Sequence, residues 1–205
     1  MTDKDQLAGS AGAAIPGLIA PGPLGAALGL LTGELSRRAW VELKLLWSRP
    51  MKAAVRISGL SREELEERIR DDPRLVPLAA RVLHEAAMTG CPEVLDLLGA
   101  ALGDGVIHPD QSDDTELILG GLARLRPVHI RLIRHLGPEA PDADGTWTAS
   151  LVGEREAVTE DEASRLLFDL AAAGFMTMHN AWNALGFTVS GRGVRLLEVI
   201  DALDA

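Results

Sequence analysis

Five histidines, one cysteine and thirty Asp and Glu side chains are the residues of this 205-residue chain that could do chemistry. Their spacing decides which chemistry is open to them. A metal centre needs His, Cys, Asp or Glu ligands at compatible intervals. His84, His108, His129, His135 and His179 form no HExxH pair, and no second cysteine accompanies Cys91. His129 and His135 fall on different faces of one helix, so each histidine reads as a surface or partly buried structural residue. Cys91 reads as a small buried apolar residue, and a single cysteine rules out an intrachain disulfide and fits a reducing cytosol. The glycines of "GSAGAAIPG" and "GDGVIHP" match neither GxxxxGK[ST] nor GxGxxG, and no GxSxG is present. Carboxylate runs such as "EELEER" and "EREAVTEDE" read as solvated helix faces and caps. The expectation is therefore no catalytic residue, no cofactor and no metal. An enzyme whose site is assembled only in the fold is the weakest of three readings.

The remaining candidates are charges and glycines, and the elements that must position them follow from pattern. Arg126 onward reads as a helix with Pro127 in its first turn and Gly137 past its end. A short β-prone "TWTASLV", a helix capped by Thr159 with Glu162, a hairpin across "FMTMH" and "FTV", and a last helix capped by Ser190 complete the chain. Helix, strand, helix, two-stranded wing and helix is the order of a winged-helix domain, and its core is expected from Leu166, Leu167, Leu170, Val189, Leu196, Leu197 and Ile200. In such domains one helix commonly enters the major groove of DNA. Here that helix presents Glu160, Asp161, Glu162 and Asp169 against a single Arg165, which repels phosphate. Arg131, Arg134, Arg192 and Arg195 are the candidate contacts to phosphate or to a partner. A net charge of −10 argues against broad nucleic-acid binding, which relies on basic surface.

The middle of the chain reads as a run of capped helices. Ser61 with Glu64 makes a capping box, Asp72-Pro73 and Cys91-Pro92 open two helices, the first with Pro77 as an alternative start four residues later, and Gly90 and Gly103 end them. Asp113 with Glu116 caps another through Leu125. Upstream, Leu35, Ala39, Leu43, Leu46 and Trp47 recur at helical spacing, giving a helix from Leu24 to Trp47 about 36 Å long. Pro50 kinks or ends it, and "MKAAVRIS" adds a turn or two before Gly59. With 47% hydrophobic and only 3% aromatic residues, the core must come from Leu, Ala, Val and Ile, and the fold class is mainly α. Three parts are expected: an apolar Gly/Pro-rich arm over 1–33, a helical domain over 34–125 and the winged-helix-like domain over 126–205.

Leu7 to Gly33 carries no charge, but Pro16, Pro21 and Pro23 deny it one continuous span. Gly25, Gly29 and Gly33 form a small-residue face suited to close helix contact. Basic residues from Arg37 to Arg56 follow, so peripheral membrane contact or oligomerisation is expected rather than stable spanning. "MTDKDQ" is not a secretory leader, which predicts a cytoplasmic protein, possible contact with the inner membrane being peripheral.

The apolar segment leading into "ELSRRAWVELKLL" is followed by the pair "PRLVPLAARVLHEAAMTG" and "PEVLDLLGAAL". Next come "HPD…ELILGGLARLRPVHIRLIRHLG" and the ending "LLFDLAAAGFM…GFTVSGRGVRLLEVI". This order resembles the bacterial abortive-infection alpha family, associated with phage defence. The resemblance covers most of the chain and brings no catalytic residues. It implies a non-enzymatic interaction protein, an effector or its regulator, that binds a protein partner or its own copies. A winged-helix transcriptional regulator is the alternative.

Overall fold

In the computed structural model, which describes residues 47–137, 146–181 and 184–205, the chain is mainly helical with one small antiparallel sheet near its end. These residues all belong to the compact unit Leu43–Ala205. The arm with Gly25, Gly29 and Gly33 lies outside the described residues, as does nearly all of the helix expected from Leu24 to Trp47.

Residues 47–58 form helix α1, and Gly59 closes it in the left-handed region at φ 68°. Pro50 lies within this helical stretch rather than ending it. Helix α2 (Arg62–Asp71) starts on the expected capping box. Ser61 N–H donates to Glu64 Oε2 at 2.8 Å, and Glu64 N–H donates to Ser61 Oγ at 3.2 Å. Helix α3 (Leu75–Met88) begins just past Pro73 and carries Pro77 in its first turn, where a missing donor is tolerated. Helix α4 (Pro92–Ile107) starts at Pro92 but does not stop at Gly103 as expected. Tertiary packing overrides the glycines' poor helix propensity there. A side chain at Gly99 would overlap the Pro50 carbonyl, and a Cβ at Gly103 would lie 2.5 Å from the Ala54 carbonyl oxygen. Two glycines four apart thus let the backbone of α1 lie against α4.

A 3-10 turn (Pro109–Gln111) leads into α5 (Ser112–Leu122), which takes Asp113 into its first turn with no side-chain cap, contrary to expectation, and ends three residues before the expected Leu125. Helix α6 (Pro127–Leu136) has the expected bounds, with Gly137 at φ 55° beyond it. The β-prone "TWTASLV" is corrected. Only Trp147 pairs, in an isolated bridge with Phe187, and Ala149–Glu156 is a helix, α7. Thr148 supplies the start by accepting the Leu151 N–H, and that local bond outweighs β propensity. Helix α8 (Glu160–Ala172), strands β1 (Met176–Ala181) and β2 (Ala184–Val189) and helix α9 (Gly191–Asp204) follow.

The core is built from leucines of every helix from α2 to α9 except α7, which contributes Val152, and it is closed by Trp147, Phe175 and Phe187. Of the expected core set, Leu166, Leu167, Leu170, Leu196, Leu197 and Ile200 are buried and Val189 packs against them partly buried. Among the described residues no helix is long and apolar enough to cross a membrane.

Candidate interaction surface

Helix α8 shows how a surface can be built on the back of a core element. Thr159 Oγ accepts the Glu162 N–H at 3.2 Å, and Glu160, Asp161 and Glu162 place negative charge at the positive end of the helix. Ala163, Leu166, Leu167 and Leu170 are buried. The opposite stripe carries Asp161, Arg165, Phe168 and Asp169, all exposed. Arg165 turns back onto Asp161, so its charge is largely spent within the stripe.

Phe168 is the anomaly on that stripe: it is 44% exposed, where its neighbours are charged. Its ring meets the buried Phe187 edge-on, with centroids 5.5 Å apart. Phe187 pairs with Met178 across the sheet, which puts both side chains on one face, and Met178 is 53% exposed. The backbone of Phe187 is itself fixed by two 2.8 Å bonds to Trp147. The seam between α8 and the sheet therefore presents an apolar patch on a rigid base, bordered by carboxylates.

Asp169 is positioned by a buried histidine. His129, 1% exposed, receives the Arg126 backbone N–H on Nδ1 at 3.0 Å, so Nδ1 carries no proton. The ring proton then sits on Nε2 and is donated to Asp169 Oδ2 at 3.1 Å. Burial pushes the His129 pKa below its ordinary value, the Asp169 contact opposes this, and the nearby Arg126 charge adds to the lowering. Neutral His129 ties the start of α6 to α8 and holds one carboxylate of the surface in place.

The four candidate arginines do not form one site. Arg195 is committed to the fold, with Nε donating to Asp104 Oδ2 at 2.9 Å and joining α9 to α4. Arg134 pairs with Asp204 at 3.3 Å. Arg192 lies 3.9 Å from Asp114 at the start of α9, and Arg131 is exposed on α6. Cys91 is only partly buried, contrary to expectation; burial and its contact with Glu93 push the thiol pKa up, away from a reactive thiolate. Among the described residues no three His, Cys, Asp or Glu side chains are placed to share a metal ion.

Phe168 and Met178 were not singled out by sequence reasoning. The signal existed: Phe168 shares the stripe of Asp161 and Arg165 by helical spacing, the wrong side for a core residue. Compared with protein-family models, curated proteins and solved structures, the chain matches none.

Proposed function

We propose that this chain is a non-enzymatic interaction protein whose part from 126 to 205 is a winged helix used to bind another protein. The order α6, Trp147, α7, α8, β1 and β2 supports the winged-helix reading, with Trp147 pairing on the β2 edge that β1 leaves open. The observation that carries the protein-binding reading is Phe168, exposed amid carboxylates and backed by Phe187. Exposed aromatic anchors on a rigid base are what protein interfaces use, and the acidic border selects a basic partner. The resemblance to the abortive-infection alpha family supports a place in phage defence, as effector or regulator. The arm over 1–33 would then serve oligomerisation or peripheral contact with the inner membrane.

A transcriptional regulator is the second reading, favoured by the helix–turn–helix arrangement of α7 and α8 ahead of the hairpin. Its obstacle is charge, because Glu160, Asp161 and Glu162 occupy the end of α8 that would approach DNA. Fluorescence anisotropy with a labelled pool of 30-base-pair duplexes at about physiological salt separates the two. No saturable binding is expected; sequence-selective binding would establish the regulator reading instead.

A further inference from the structure

Of the two consecutive glycines in α5, packing requires only one. A Cβ at Gly121 would lie 2.5 Å from the Ala173 carbonyl oxygen and 2.8 Å from the Phe175 ring. A Cβ at Gly120 would meet only the tip of Arg81, at 3.4 Å, an ordinary contact with a flexible side chain. Glycine is the poorest helix former after proline, so Gly120 is a local weakness that the fold does not need. It faces a groove of about 560 Å³.

The groove has a defined polarity. Its floor is one face of α5, with Asp113 and Glu116 towards one end and Arg124 at the other. Arg81 of α3, Gly174 and Arg192 also line it. Arg192 Nη1 comes within 2.9 Å of the place a Cβ on Gly174 would occupy, so that glycine, at φ 86°, also leaves room for a guanidinium. Arg81 Nε is buried in a 2.7 Å ion pair with Glu85 Oε1, and it is Nη2, 3.4 Å from the place of a Cβ on Gly120, that borders the groove. Arg192 has Asp114 only at 3.9 Å, and Arg124 reaches the Ala172 carbonyl oxygen with a long 3.4 Å bond. Each guanidinium carries five donors, so these three retain unused capacity for an oxyanion.

We infer that this groove binds a small phosphorylated polyol, with the phosphate between Arg124, Arg192 and Arg81 and the hydroxyls donating to Asp113 and Glu116. The two carboxylates disfavour a bare phosphate dianion but suit hydroxyl donors on the same ligand. Among the described residues no aromatic side chain lines the groove, which leaves a nucleobase without a stacking platform there. The volume fits small-molecule sites generally.

Calorimetric titration of the full chain with glucose 6-phosphate, inorganic phosphate, glucose and AMP at constant ionic strength tests this. Saturable binding of glucose 6-phosphate is expected, at least tenfold tighter than inorganic phosphate, with no binding of glucose. Arg124→Gln and Gly120→Leu should each weaken it at least tenfold, while Arg131→Gln leaves it unchanged. Gly120→Ala, which the geometry accommodates, keeps the comparison informative should the leucine variant fail to fold. It should weaken glucose 6-phosphate more than inorganic phosphate. Absence of saturable glucose 6-phosphate binding, or binding indifferent to Arg124→Gln, would overturn the inference. AMP binding as tightly as glucose 6-phosphate would overturn the polyol assignment. None of these outcomes bears on the α8 surface, which shares no charged residue with the groove.

Discussion

Two glycines with opposite expected responses to alanine test the packing at the scale of single residues. Gly99 touches the Pro50 backbone so closely that any Cβ forces α1 and α4 apart. Gly99→Ala should cost at least about 1–3 kcal/mol, the range for overpacking a core. Gly120→Ala meets no obstacle and should stabilise by up to about 1 kcal/mol through helix propensity. Urea denaturation of both variants checks the contrast, and a stabilised Gly99→Ala would mean α1 does not lie where it is placed. His129 makes a second residue-scale test. Its pKa is lowered in the fold, so the unfolded chain takes up a proton that the folded one resists. Stability from this group is fully present above its ordinary value of 6.5 and is lost as pH falls below it. The loss proceeds at up to about 1.4 kcal/mol per pH unit until the lowered folded value is reached. Glu64, Asp72 and Glu93 are lowered carboxylates and lose their contributions only under more acid conditions. The slope of stability just below pH 6.5 should therefore flatten in His129→Gln. An unchanged slope would contradict the neutral buried ring.

Among the elements, those whose ends are fixed by local bonds were legible in the sequence. The Ser61–Glu64 box, the Thr159 cap and the Ser190 cap, whose Oγ accepts the Gly193 N–H, all start helices where the residues say they should. Elements decided by distant neighbours were not. Gly103 looks like a helix stop, but Ala54 packs where its side chain would be, as Thr115 does at Gly105, and the helix runs on to Ile107. Helix α7 was hidden by the β-prone Thr146-Trp147-Thr148 and by Gly153, whose missing side chain gives room to the Val158 carbonyl. The candidate surface was half legible: the acidic stripe of α8 follows from spacing, whereas the exposure of Met178 depends on its register opposite Phe187. Element α8 also offers the plainest stability test. Leu167 is fully buried, so Leu167→Ala should cost about 2–5 kcal/mol by thermal or urea unfolding. A loss below about half a kcal/mol would remove α8 from the core.

For the molecule as a whole, charge is what separates the two readings of function. The chain carries a net charge of −10, and α8 itself carries four carboxylates against Arg165, which Asp161 engages, while Arg126 of the preceding segment lies 3.8 Å from Asp169. That field slows approach to nucleic acid and speeds approach to a basic protein surface. The apolar seam at Phe168 and Met178 would supply the short-range part of the contact. The most direct measurement places a photo-crosslinking benzoylphenylalanine at position 168 of the full chain, in cells that produce it, with position 131 as an exposed control. Protein adducts are expected at 168 and not at 131, and they should diminish when Asp161 and Asp169 are changed to asparagine. Adducts with nucleic acid at 168, or no adduct beyond those seen at 131, would contradict the assignment of α8 as a protein-binding face.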